Sequence, residues 1–182
     1  EKGKQYRQQL LTYLNDSDVD FDHIFYPDSN FFTYNFNSLT NSYVNRLRTG
    51  SAIPDGAEIK GLSVGLLRME VGDKTINITD LASTFPPTIQ TNSGTIDFKF
   101  TFNLKVVDVN GDAIEGASVA IEDVNGDAIS ESPFATDASG DMAEQTLLAR
   151  EYITSTTEYT EYQPYTVTLS NSGYETRTIE YS

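Results

Sequence analysis

The sequence contains no cysteine, no tryptophan and a single histidine. Without cysteine the chain forms neither disulfides nor thiolate metal sites. His23 has no second histidine or activated nucleophile beside it, so a Ser-His-Asp triad cannot be built around it and we expect a structural role. No apolar run approaches the roughly 20 residues that a membrane-spanning helix needs. Phosphate-binding and dinucleotide-binding fingerprints are also missing from the sequence.

Basic residues are scarce in the second part of the chain. Residues 106–182 contain 15 acidic and 2 basic residues, a net charge of −13, whereas residues 1–105 contain 12 acidic and 10 basic residues, a net charge of −2. A surface this negative repels phosphate backbones and anionic lipid, so we expect no binding to nucleic acid or membranes. The same surface attracts divalent cations.

The composition favours a packed protein rich in β-structure. Of the 182 residues 38% are hydrophobic and 12% are aromatic, which argues against disorder. The length suits two small domains. A cysteine-free composition is common in surface proteins of bacteria, archaea and their viruses, so we expect an extracellular protein of a virion or cell surface. Because the first residue is Glu, we expect a processed product or a fragment.

The first fifteen residues have a helical period. Tyr6, Leu10, Leu11 and Leu14 fall on one face, which predicts a short amphipathic helix. This helix docks either on its own domain or, as a freed arm, on a neighbouring subunit.

Carboxylates recur at every second position after this helix. Asp16, Asp18, Asp20 and Asp22 would lie on one side of an extended segment or wrap around a cation, and Ca²⁺ takes six to eight oxygen ligands. The segment therefore predicts either a calcium site or a solvated loop that caps the helix.

Alternating apolar and polar residues predict a series of strands between Phe21 and Thr79. Gly72-Asp73 is typical of a hairpin turn between two of them. Because no constant repeat length is visible, we expect an antiparallel sandwich or meander rather than a β-helix. The proline-containing stretch 81–94 is the expected linker, which gives an N-terminal β-rich domain over residues 1–94 and a second domain over residues 95–182.

The second domain begins with the longest alternation in the chain, at residues 95–107, which predicts a long strand. An identical heptapeptide, Asp-Val-Asn-Gly-Asp-Ala-Ile, follows at residues 108–114 and again at residues 123–129. Asn-Gly is the strongest short signal for a tight turn, so both copies predict turns in a small antiparallel sheet.

These segments resemble, in their order, the carboxypeptidase regulatory-like family of small immunoglobulin-like or transthyretin-like β-sandwiches. The resemblance covers roughly residues 98–181 and includes an Asp-x-x-Gly turn, an Ile-x-Gly-Ala-x-Val strand, a Thr-Asp-x-x-Gly turn and a late Gly-Tyr. It departs from the family at Ala113, where Pro is common, and in the longer region 150–163. It implies a sandwich that serves as a non-catalytic accessory module. The residues that carry it are Asp108, Gly111, Ile114, Gly116, Ala117, Val119, Thr136, Asp137, Gly140, Gly173 and Tyr174.

The two heptapeptides copy only the first half of an EF-hand calcium loop. Ala113 and Ala128 replace the glycine of the sixth position, and Val119 and Phe134 replace the bidentate glutamate of the twelfth. Neither copy is an EF-hand. No pair of carboxylates stands out as a glycosidase pair, so we expect no catalytic residues.

Tyrosines recur in the predicted loop at 150–163 and just after it. Exposed tyrosine suits contacts with proteins or sugars, although alternating tyrosines also pack on a sheet. We predict an interaction loop formed by Tyr152, Tyr159, Tyr162 and Tyr165.

The sequence as a whole predicts an all-β protein of two β-rich domains with one short N-terminal helix, the second domain being an Ig-like sandwich. The predicted function is that of a non-enzymatic structural subunit of an extracellular assembly, which forms homo-oligomers or contacts other structural subunits. The alternative is an adhesion module that binds a glycan or a surface protein. No cofactor is expected apart from Ca²⁺.

Overall fold

The computed structural model describes residues 20–22, 24–26, 32–33, 36–50, 52–83, 87–91, 94–155 and 158–182. These residues contain strands and no helix, which confirms the all-β prediction. In this part of the chain no helix is long and apolar enough to cross a membrane. The helix predicted over residues 1–15 and the histidine at position 23 lie outside the described residues.

The strands follow one another along the chain with short connections. The first eleven are β1 (Asp20–Asp22), β2 (Phe25–Tyr26), β3 (Phe32–Thr33), β4 (Ser38–Thr40), β5 (Tyr43–Arg48), β6 (Glu58–Lys60), β7 (Ser63–Gly72), β8 (Thr75–Thr79), β9 (Ala82–Ser83), β10 (Thr88–Thr91) and β11 (Thr95–Phe102). The remaining six are β12 (Ser118–Glu122), β13 (Phe134–Ala135), β14 (Gln145–Ser155), β15 (Glu158–Glu161), β16 (Tyr165–Ser170) and β17 (Arg177–Tyr181).

The chain divides into two compact units. Unit one contains Glu1–Phe100 and Arg150–Thr160, and unit two contains Thr101–Ala149 and Glu161–Ser182. The sequence placed the domain boundary between residues 94 and 95. Strands β11 and β14 each contribute residues to both units.

Unit one is a stack of parallel coils, the arrangement of a β-solenoid. On one side β4, β6, β8 and β11 pair in parallel, with Ser38 opposite Glu58, Glu58 opposite Asn77 and Thr75 opposite Thr95. On the other side β5, β7 and β10 pair in parallel. Partners in the first series are 19 or 20 residues apart, so one coil takes about twenty residues.

The prediction of an antiparallel sandwich or meander for the N-terminal part is therefore wrong. The turn at Gly72-Asp73 does connect β7 to β8, but β7 pairs with β5, β9 and β10, whereas β8 pairs with β6 and β11. The predicted linker is also part of the stack, because β10 pairs with β7 in parallel. Period-2 alternation is common to both kinds of sheet and does not indicate strand direction.

The core of unit one is made of inward side chains that stack from coil to coil. Leu39, Ile59 and Ile78 occupy equivalent positions in successive strands and are completely buried. Such burial is the main favourable contribution to folding. The buried core residues are Phe36, Leu39, Val44, Leu47, Ile53, Ala57, Ile59, Leu62, Val64, Leu67, Met69, Val71, Ile76, Ile78, Ile89 and Ile96.

The two ends of the stack differ. At the last coil, β14 lies between β10 and β11, and β15 pairs with β14. Tyr152 of β14 packs edge-on against Phe98 of β11, with ring centroids 5.5 Å apart. In the described part of the first coil, β1 pairs only with β4, and β2 and β3 pair only with β5. The hairpin of β14 and β15 therefore covers edge strands at one end of the stack.

Unit two is built on an antiparallel sheet with the order β13-β12-β16-β17. Val119 of β12 pairs with Leu169 of β16, and Val167 of β16 pairs with Ile179 of β17. The long strand predicted over 95–107 ends at Phe102, and Lys105 and Val107 form only isolated bridges. The buried apolar residues are Phe102, Ile114, Ala117, Val119, Ile121, Met142, Leu147, Tyr165 and Val167.

Candidate functional site

The two heptapeptides form two turns of the same construction. One carboxylate oxygen of Asp108 accepts the backbone N–H groups of Asn110 at 2.8 Å and Asp112 at 2.9 Å. Asp123 accepts those of Asn125 and Asp127 at 2.8 and 3.0 Å. The glycines at positions 111 and 126 have φ of 88° and 83°, which only glycine adopts without strain. The turn prediction is confirmed.

A third turn repeats this geometry without repeating the sequence. Asp137 accepts the backbone N–H groups of Ser139 at 2.8 Å and Asp141 at 3.0 Å. Its own N–H donates to the carbonyl of Asp141 at 2.9 Å, the distance found at the equivalent position in both heptapeptides. The shared pattern is Asp-x-x-Gly-Asp, a signal that the sequence offers at 137–141.

The turn carboxylates are held in their charged forms. Backbone N–H groups of Asp112 and Asn110 lower the pKa of Asp108. For Asp123 burial is the largest single influence and raises the pKa, but the N–H groups of Asp127 and Asn125 together outweigh it, so that the pKa is lowered. These oxygens therefore serve the turns. The described residues include no group of three or more His, Cys, Asp or Glu placed to hold a metal ion.

Half of the predicted calcium segment lies in the described part of the chain. Asp20 accepts hydrogen bonds from the side chains of Ser38 at 2.8 Å and Asn37 at 2.9 Å, and these lower its pKa. Asp22 accepts hydrogen bonds from Thr40 at 2.7 Å and Asn41 at 3.1 Å. Both carboxylates thus join the first coil to the second.

Asp16 and Asp18 lie outside the described residues, so calcium binding stays a prediction. Thermal unfolding in calcium and in chelator tests it, because a ligand that binds only the folded state raises the melting temperature. Identical curves would remove the calcium site and leave the solvated loop.

The four tyrosines of the predicted interaction loop are divided between the units. Tyr152 and Tyr159 belong to unit one, and Tyr162 and Tyr165 belong to unit two. The predicted loop is largely strand, since it contains the end of β14 and all of β15. Tyr165 is buried and does not line a surface.

Tyr152 and Tyr159 form a cluster with Arg150. Their ring centroids are 5.3 Å apart, and the guanidinium of Arg150 lies 4.3 Å from the centroid of Tyr159. An Nη of Arg150 donates to the hydroxyl of Tyr152 at 3.3 Å. Tyr159 is 48% exposed, so the cluster presents an aromatic face beside a fixed positive charge.

Tyr165 instead joins two parts of unit two. Its hydroxyl donates to the carbonyl of Leu148 at 2.8 Å. Burial, followed by the nearby charge of Asp123, raises its pKa to about 12 from the ordinary value of 10.0.

This shift predicts a loss of stability in alkali. Between about pH 10 and about pH 12 the unfolded chain loses the phenolic proton while the folded protein keeps it, so the free energy of unfolding falls as the pH rises, by about 2 kcal/mol at the top of this range. Urea unfolding of the wild type and of Tyr165→Phe from pH 9 to pH 12 measures the effect. Parallel pH profiles for the two proteins would contradict it.

Unit two also has an apolar cleft that the sequence did not indicate. Its volume is about 350 Å³, and its lining includes Val107, Val109, Ile114, Tyr174 and Arg177. Val109 is completely exposed, which is unusual for so apolar a residue. The only sequence signal was a valine inside a polar turn.

Among the sites described, the aromatic cluster of Arg150, Tyr152 and Tyr159 is the best candidate for binding a ligand. Comparisons of the chain with models of protein families, with curated proteins and with solved structures find no match.

Proposed function

We propose that the protein is a non-enzymatic structural subunit of an extracellular assembly, either a virion component or a surface filament or appendage. The observation that carries the proposal is the asymmetry of the coil stack. A hairpin covers the last coil, while each described strand of the first coil pairs on one side only. Edge strands left in this way are templates for pairing with another chain.

Aromatic residues at the first coil support assembly there. Phe25 is 73% exposed and stacks on Tyr43 of the next coil, with ring centroids 5.3 Å apart. Large exposed aromatic side chains are enriched where proteins meet. We therefore assign the assembly contact to this end of unit one.

The charge distribution supports a display role for unit two. Residues 106–182 carry a net charge of −13, which disfavours close packing of like units and favours contact with solvent. We propose that unit two is an Ig-like or transthyretin-like sandwich of the carboxypeptidase regulatory-like kind. Its antiparallel sheet and its turns at Asp108 and Asp137 support this assignment.

Light scattering coupled to size-exclusion chromatography tests assembly. We expect wild-type oligomers that grow with concentration, and filaments or particles in electron micrographs. Phe25→Asp places a charge at the open end and should yield monomers. Val109→Asp, which adds the same charge at an exposed site of unit two, is the control and should assemble. A wild-type monomer under all concentrations and cation conditions would contradict the proposal.

The second candidate function is adhesion to a glycan or a surface protein through the aromatic cluster. An exposed tyrosine stacked with an arginine suits the face of a sugar ring or a protein surface. A glycan array should show reproducible binding that Tyr159→Ala abolishes and Tyr174→Ala, at a distinct exposed tyrosine of unit two, retains. Absence of binding would favour the purely structural role.

A further inference from the structure

A lysine, an asparagine and an aspartate meet on the outer face of the last two coils. Asn77 of β8 lies directly opposite Asp97 of β11, and Lys99 follows two residues later on the same face. The Lys99 ammonium nitrogen lies 2.6 Å from Oδ1 of Asn77 and 3.3 Å from Oδ2 of Asp97. The parallel ladder fixes both backbones, so the amine is held against the side-chain amide.

The site is partly shielded from water, and its aspartate is incompletely paired. The side chains of Lys99 and Asp97 are 26% and 16% exposed. Oδ1 of Asp97 is buried and has no hydrogen-bond partner in the described part of the protein. A buried polar atom without a partner is costly in a purely structural network and is a feature of reactive sites.

We propose that Lys99 and Asn77 condense to an intramolecular amide bond, with Asp97 transferring the proton. Amines are nucleophiles in their neutral form, so Nζ first gives one proton to solvent. Nζ then attacks Cγ of Asn77, and a C–N bond forms as Asp97 takes a proton from the attacking nitrogen. Asp97 passes this proton to the amide nitrogen, which leaves as ammonia when its bond to Cγ breaks. The released ammonia takes up one proton from solvent, so the reaction needs neither oxidant nor cofactor.

Proximity favours this reaction over attack by water. A nucleophile held in contact with its target reacts as if at very high concentration. The new bond would connect residues 22 positions apart and join β8 to β11 covalently. A chain without cysteine would thereby gain a crosslink that reducing agents do not break.

Peptide mapping of the full-length chain decides the question. An endoproteinase that cuts before aspartate separates residues 73–79 from residues 97–107. We expect these two peptides to be recovered joined, with a combined mass lower by one ammonia, and the intact protein to be lighter by the same amount. Recovery of both peptides unlinked, or of Asn77 deamidated or glycosylated within Asn77-Ile-Thr79, would overturn the proposal.

Variants separate the roles of the three residues. Lys99→Arg retains the positive charge but should abolish the joined peptides, as should Asn77→Ala. Asp97→Asn should leave them unjoined in a protein whose circular dichroism is that of the wild type, and efficient joining in this variant would overturn the role of Asp97. Lys105→Ala is the control, since Lys105 lies in unit two beside Asp141, and it should retain the crosslink.

One other reaction also releases ammonia and must be distinguished. Succinimide formation at Asn110-Gly111 or Asn125-Gly126 lowers the intact mass equally, but it does not join two peptides. A mass loss that maps only to these turns would therefore count against the crosslink.

Discussion

Gly94→Ala is expected to lower the free energy of unfolding by about 3 kcal/mol, because a side chain at this position collides with backbone. A Cβ atom on Gly94 would lie 2.2 Å from the carbonyl oxygen and 2.6 Å from the nitrogen of Lys74. Neither atom can rotate away, since the Lys74 carbonyl accepts the N–H of Thr95 at 2.9 Å and Gly94 donates to Gly72 at 3.1 Å. The coil would have to separate here to admit a methyl group.

Urea unfolding measures this loss, and Gly111→Ala is the matched control. Gly111 has φ of 88°, but a Cβ atom there meets nothing within 4 Å. Its replacement should cost about 1–2 kcal/mol from backbone conformation alone. Equal losses at positions 94 and 111 would show that the coils are not packed this closely.

Ile78→Ala is expected to cost about 3 kcal/mol through the cavity it leaves in the coil stack. Ile78 is completely buried, and it lies opposite Ile59 on one side and Phe98 on the other. Backbone hydrogen bonds hold the neighbouring coils at a fixed spacing, so they cannot collapse into the space. Ile78→Val removes one methylene and should cost about 1 kcal/mol.

Val109→Ala tests whether the effect comes from burial. Val109 is completely exposed, so its truncation should change the free energy of unfolding by less than about 0.5 kcal/mol. Chemical unfolding curves of the three variants give the comparison. A small effect at Ile78 would contradict its place inside the stack.

The turns of unit two could be predicted from sequence because their chemistry is local. Asp108 and Asp123 accept hydrogen bonds from residues two and four positions later, and glycine supplies the positive φ that each turn needs. All the groups that form such a turn lie within five residues. The third turn has the same Asp and Gly positions, and only its different intervening residues hid it.

The coils of unit one could not be predicted because their partners are distant in sequence. Leu39, Ile59 and Ile78 share a position in the stack, but their neighbours in sequence differ. A stack needs apolar side chains at inward positions and does not require particular residues there. Its repeat is therefore one of hydrophobic pattern, blurred further by coils of 19 and 20 residues.

The candidate sites show the same dependence on strand pairing. Tyr159 could be identified as an exposed aromatic residue, but the burial of Tyr165 depends on which face of β16 points inward. The approach of Lys99 to Asn77 depends on the register between β8 and β11. Residues 22 positions apart carry no mark in the sequence that they will meet.

The coil repeat also makes the length of unit one adjustable in fixed steps. Neighbouring strands in a sheet are about 4.8 Å apart, so each additional coil of 19 or 20 residues lengthens the stack by that distance. A tandem duplication of one coil in the gene would preserve the stacked rows and the hairpin at the last coil. Unit one can thus evolve as a spacer whose reach is set by the number of coils, independently of the chemistry at its ends.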